Sequence, residues 1–167
     1  MLAEMKYGIV KNEQIAPILS ARMGASEVIP AGGCFVTDDG SSRMETAEDG
    51  STLLAGYVLP TELDAGKKYQ TCSSTEGGTV VPFIPIEAML GVVVRLPINS
   101  GAPATVALLR AMYNNTCDIS VASNVQGVQL DASAEDTLVV VGGDEEDIDW
   151  VDVVVCIEKI TGKSGVV

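Results

Sequence analysis

The chain has 167 residues, 47% of them apolar, with 23 Asp plus Glu against 10 Lys plus Arg and a formal net charge of −13. The apolar share is too high for intrinsic disorder, and a chain of this length buries roughly two-thirds of its unfolded surface. The acidity argues against nucleic-acid binding, which needs clustered Lys and Arg, and no run of about 18 apolar residues is present to span a membrane.

The first six residues, Met1-Leu2-Ala3-Glu4-Met5-Lys6, lack a basic stretch followed by an apolar one, so no export signal is expected. Up to residue 50 the apolar residues Ile9, Val10, Ile15, Ile18, Leu19, Met23, Val28 and Ile29 keep no sustained period, and Pro17 and Pro30 interrupt any helix. Two readings stay open for this stretch: a disordered tail, or an extended arm whose apolar side chains lie across a neighbouring subunit and add a strand to an exposed sheet edge. The arm reading places Tyr7, Ile9, Val10, Ile15, Ile18 and Leu19 in an interface. Residues 1–50 are then an arm with a first strand region, and residues 51–167 a β domain. Removal of Met1–Gln14 is expected to weaken attachment and leave the body folded.

Over the whole chain, 22 Val, 11 Ile and 11 Thr favour pleated, half-buried strands over helices. Gly32-Gly33, Asp38-Asp39-Gly40, Glu48-Asp49-Gly50, Gly77-Gly78 and Gly142-Gly143 punctuate the chain as turns. Short apolar runs between turn signals predict an all-β fold, a compact β-sandwich or small barrel. Val80–Ile86 contains Pro82 and Pro85, which break ladder bonding. It reads as an edge, a crossover or an intersubunit contact, with a core connection as the alternative, and it adds Phe83 and Ile84 to the interface. Val92, Val94, Leu96 and Ile98 alternate along a strand that Pro97 ends or confines to an edge.

Residues 104–113 combine helix formers behind Pro103 with a readable alternation. Strand is the preferred reading, with helix as the alternative. Cys117–Val121 and Val125–Leu130 predict a hairpin over Ser123-Asn124. Thr137–Val141 and Val151–Ile157 predict another, joined by the acidic loop that begins at Gly142.

The absence of histidine removes the commonest general acid/base and the usual partner of a nucleophilic Ser or Cys, so the chain is not expected to be an enzyme. Cys34, Cys72, Cys117 and Cys156 lie 38, 45 and 39 residues apart, too far for a zinc motif, and read as reduced structural thiols. Gly162-Lys163-Ser164 lacks the upstream glycine and following helix of a phosphate-binding loop. Asp144, Glu145, Glu146, Asp147, Asp149 and Asp152 offer oxygens to a hard cation, but without calcium-loop spacing they read as a solvated loop. Glu62 and Asp64 are neighbouring carboxylates with no inferable partner, and Asn114-Asn115-Thr116 reads as a turn. No catalytic residue, metal or cofactor is expected.

Taken together, an acidic, histidine-free, Val/Thr/Gly/Ala-rich β chain with a thin N-terminal arm resembles the head decoration (cement) proteins of tailed bacteriophages. The arm would be Met1 to about Val28. The body would run from about Thr52-Leu53-Leu54-Ala55-Gly56-Tyr57 to Asp149-Trp150-Val151-Asp152-Val153. The resemblance implies a homotrimer on the outer surface of the virion, bound where subunits of the major capsid protein meet, with no nucleic-acid or membrane partner. Alternatives are a tail-tube or fibre module and a carbohydrate-binding β-sandwich, the latter disfavoured because seven aromatics leave few sugar platforms.

Overall fold

A computed structural model describes residues 8–12, 18–61, 69–73, 78–131, 134–156 and 158. Its elements in chain order are β1 (Gly8–Asn12), β2 (Leu19–Arg22), β3 (Val28–Pro30), β4 (Cys34–Asp38), β5 (Met44–Thr46), β6 (Gly56–Val58) and β7 (Tyr69–Thr71). There follow β8 (Val80–Pro85), a 3-10 turn (Ile86–Ala88), β9 (Val92–Ser100), α1 (Val106–Ala111), β10 (Thr116–Ala122), β11 (Val125–Gln129), β12 (Leu138–Gly143) and β13 (Trp150–Val155). The expected all-β fold is what the described residues form.

Two sheets carry the architecture. The first has the order β2-β8-β6-β4-β5, antiparallel throughout, and a bridge between Met23 and Met44 draws its two edges together. The second closes on itself: β9 pairs β11 in parallel, β11 pairs β10, β10 pairs β12, β12 pairs β13, and β13 returns to β9. β1 joins this barrel on the β9 edge, and β3 with β7 forms a separate ribbon.

Packing follows from alternation. On β13, Val151, Val153 and Val155 point into the barrel, as the odd-position pattern predicts. Asp152 points outward, where Arg95 grips it through two hydrogen bonds of 2.7 and 2.9 Å. The first sheet is buried on both faces. Cys34, Val36, Val58, Val81 and Phe83 fill its own concave side. Phe35, Tyr57 and Ile84 share a core with barrel residues such as Val94, Leu96, Ile119, Val128 and Leu138. Phe35 and Tyr57 meet edge to face at 5.0 Å between ring centres. β4 pairs β6 across residue 50, the expected boundary between arm and body.

Three expectations need correction. Residues 106–111 are helix: Thr105 caps the turn by accepting the Leu108 N–H at 3.3 Å, and the Ala107–Ala111 run, free of β-branched residues, needs only Leu109 buried. Val80–Pro85 is no edge, because β8 lies between β2 and β6. Its prolines sit past the end of one neighbouring strand: Pro85 beyond the start of β2, and Pro82 just beyond β6, where Leu59 N–H still bonds the Pro82 carbonyl at 3.0 Å and only the return bond is lost. Pro97 does not end β9. The Ile98 N–H points to β13, bonding Asp149 O at 2.8 Å, so the donor that Pro97 lacks would face the other side. There β1 has stopped at Arg95 and β11 begins at Ile98.

Candidate interaction surface

Of the residues expected in an interface, Tyr7 and Ile15 lie outside the described residues. Ile9 is half-buried and packs against the shared core. Phe83 and Ile84 are buried, 8% and 3% exposed, so they hold the first sheet together and offer nothing to a partner. Val10, Ile18 and Leu19 are exposed, at 47%, 63% and 53%.

Val10 stands out because the β1–β9 register shifts between Ile9 and Lys11. Such a bulge re-aims the side chain it carries. Ile18 and Leu19 belong to a continuous feature. β2 terminates the first sheet, bonded to β8 on one side, and among the described strands nothing pairs with Leu19–Ala21 on the other. Val80, half exposed, sits opposite Arg22 at the far end of this edge. Ala21 points inward and anchors the strand. The result is an open backbone edge flanked by exposed aliphatic side chains, a template for strand addition.

A second surface is polar. Ser26, Glu27, Glu45, Thr46, Glu48, Asn124 and Gln126 help line a cleft of about 230 Å³ where the β10–β11 turn approaches β3 and β5. Glu27 accepts the Thr46 N–H at 2.8 Å, and Glu45 accepts the Thr37 hydroxyl at 3.4 Å. Its carboxylates repel phosphate and favour cationic groups. Ser123 and Asn124 both adopt left-handed conformations in the predicted tight turn. Gly127 lets β9 and β11 close up, since a Cβ there would lie 2.5 Å from the Pro97 carbonyl oxygen.

The acidic run near residue 144 is engaged internally. Glu145 binds Arg110 at 2.7 Å, Asp144 accepts the N–H groups of Glu146 and Asp147, and Asp152 holds Arg95. Asp38 and Asp39 likewise accept turn N–H groups from Gly40 and Ser41, as their Asp-Asp-Gly sequence predicts. Glu62, Asp64, Lys163 and Ser164 lie outside the described residues. Cys34, Cys72, Cys117 and Cys156 are free thiols. Burial pushes the Cys117 thiol up to about 12 and Cys34 further still.

Two features of the structure gave no sequence signal strong enough to single out. The cleft draws on residues far apart in sequence. Asp118 and Gln126 occupy strand positions where a polar residue ordinarily reads as solvent-facing, yet both are buried. No helix among the described residues is long and apolar enough to cross a membrane. The chain matches no protein-family model, no curated protein and no solved structure.

Proposed function

We propose that this chain is a virion structural protein that decorates and stabilises the outer surface of a tailed-phage head, binding as a homotrimer between subunits of the major capsid protein. The observation that supports this reading is the β2 edge. In a chain of net charge −13, β2 (Leu19-Ser20-Ala21-Arg22) and its neighbour β8 (Val80–Pro85) contain no carboxylate. Ile18, Leu19 and Val80 are exposed along it. A carboxylate-free, largely aliphatic, backbone-open strip suits attachment to another subunit, while acids elsewhere keep free copies soluble and away from DNA. A protein that binds only the assembled lattice stabilises it by mass action, and repeated copies add avidity.

Co-sedimentation with heads from the same source tests the reading. The wild-type protein is expected to pellet with expanded heads and not with precursor heads. A variant carrying Ile18→Ser and Leu19→Ser is expected to keep its stability within about 0.5 kcal/mol, since both side chains are already wet, but to lose about tenfold or more in affinity. Wild-type occupancy by this variant, or indifference of the wild type to expanded heads, overturns the assignment. A monomer by sedimentation velocity overturns the trimer.

A further inference from the structure

On β10, Cys117 and Ile119 point into the core, so Asp118 points to the outer face of the barrel. It is nevertheless only 2% exposed, because the segment leading into β12 is strapped across it. The Ala134 N–H donates to Asp118 Oδ2 at 2.8 Å, and the N–H groups of Glu135 and Asp136 donate to Oδ1 at 3.1 and 2.8 Å. Three successive donors thus end on one carboxylate. Burial works against the Asp118 charge, but these donors outweigh it and hold the carboxyl below its usual range. Either side of the strap is fixed elsewhere: the Thr137 carbonyl accepts the Cys156 N–H at 3.0 Å, and Asp131 accepts the Ser100 hydroxyl at 2.8 Å.

Other features work against the closed strap. Asp136 holds a left-handed backbone, φ 50°, a conformation that L residues adopt at a cost. Asp136 Oδ1 and Thr137 Oγ1 are buried without a hydrogen-bond partner, a cost that hydration relieves when the strap lifts. The Glu135 carboxyl meets the Asp118 carboxyl, and the hydrogen bond that a proton makes possible between them raises Glu135 above its usual range. The other titratable groups at this point are Asp136 and the Cys117 thiol, which is under the influence of both Asp118 and Asp136. β11 sets the neutral Gln129 opposite Asp118, and Thr137 before β12 is neutral too. The cations Arg95 and Arg110 are committed to Asp144, Asp152 and Glu145.

We propose that residues 134–137 form an acid-responsive strap on the barrel wall, latched by the Asp118 carboxylate and tightened by a proton shared between Glu135 and Asp118. Glu135 is raised, so it takes its proton in mild acid, above the ordinary glutamate value of about 4.3. Its hydroxyl then donates to Asp118, and two facing charges become one charge-assisted hydrogen bond. That gain is present in acid and lost as pH rises. Asp118 is lowered, so it keeps its charge and its three donors until pH falls below the ordinary aspartate value of about 3.9, where the latch fails. The strap is therefore firmest in mild acid, looser at neutral pH and open in strong acid. Opening bares Asp118 and Thr137, both buried when it is closed. This inference goes beyond the head-binding assignment and needs no head.

The test is amide hydrogen exchange on the full chain, corrected for intrinsic rates, with the amides of 134–136 compared with those of β9 and β13. At neutral pH the strap amides are expected to exchange by local opening, well ahead of β9 and β13, and their protection is expected to rise at about pH 5. Asp118→Asn sets an amide donor against the strap N–H groups. It is expected to speed strap exchange about tenfold or more while β9 and β13 stay protected. Glu135→Gln imitates the protonated acid on a half-buried side chain, and it decides the matter even if Asp118→Asn does not fold. Its strap should be as protected at neutral pH as the wild type is in mild acid, with no further change between the two. Strap amides that open only together with β9 and β13, unchanged exchange in Asp118→Asn, or a wild-type pH response in Glu135→Gln overturns the proposal.

Discussion

Gln126 does with one side chain what a strand does with its backbone. Its Oε1 accepts the Phe35 N–H at 2.8 Å, and its Nε2 donates to the carbonyls of Phe35 and Ala47 at 2.9 and 2.8 Å. It thereby fastens β11 of the barrel to β4 of the first sheet, in a place where neither can recruit another strand. Gln126→Leu fills the same space but strands the Phe35 N–H away from water. The Phe35 carbonyl keeps the Ala47 N–H at 2.9 Å, so the loss is partial. A destabilisation of about 2–4 kcal/mol is expected, read from the urea midpoint with unchanged slope.

The buried thiols make a residue-scale prediction of opposite kind, in pH. An unfolded cysteine ionises near pH 8.5, whereas burial keeps Cys117 protonated up to about 12, and Cys34 beyond that. Above the unfolded value the native state holds a proton that the unfolded state has lost. The stabilisation is therefore complete below that value and is lost as pH rises toward the folded one. Between pH 9 and 11 each thiol should cost up to about 1.4 kcal/mol per pH unit. Urea midpoints across that range should fall steeply for the wild type, and less steeply for Cys117→Ala whatever its absolute stability.

At the scale of elements, legibility tracked how local the determining physics is. The β10–β11 hairpin was readable because a two-residue Ser123-Asn124 turn fixes its register, and β13 because Val151, Val153 and Val155 alternate without interruption. α1 was not readable as helix: six residues hold too few turns for periodicity to separate from alternation, and the Thr105 cap decides the outcome. β8 was misplaced because proline is a reliable edge signal only when both neighbours run its full length. Here β6 and β2 are short and staggered, so each proline lies past the end of one neighbouring strand, at a cost of at most one ladder bond. The exposed part of the candidate surface, Val10, Ile18 and Leu19, was legible as apolar residues without period. Phe83 and Ile84 were misread because a sheet covered on both faces writes the same continuous apolar run as a sticky segment. Asp118 and its partners were invisible, since they come together only when the segment around residues 134–136 folds over the barrel.

The whole molecule is interlocked from its N-terminal side. β1 does not serve the neighbouring β2 sheet; it crosses to the barrel and occupies the β9 edge at Val92–Arg95, immediately before the stretch at Ile98–Ser100 that β11 occupies. Ile9 packs against the shared core. This alters the expected consequence of trimming the first 14 residues, because β1 belongs to the body and is more than an attachment device. Deletion of residues 1–7, which keeps β1, is the reference for the longer truncation. Deletion of residues 1–12 should bare four paired backbone positions of β9 and remove the Ile9 contact, lowering the melting temperature by about 3–8 °C. It should also promote concentration-dependent self-association through the uncovered edge, seen by sedimentation velocity in the absence of any head. Equal melting of the two truncations would mean that β1 contributes nothing to the barrel. Lower melting without self-association would mean that the β9 edge is closed by the rest of the chain once β1 is gone.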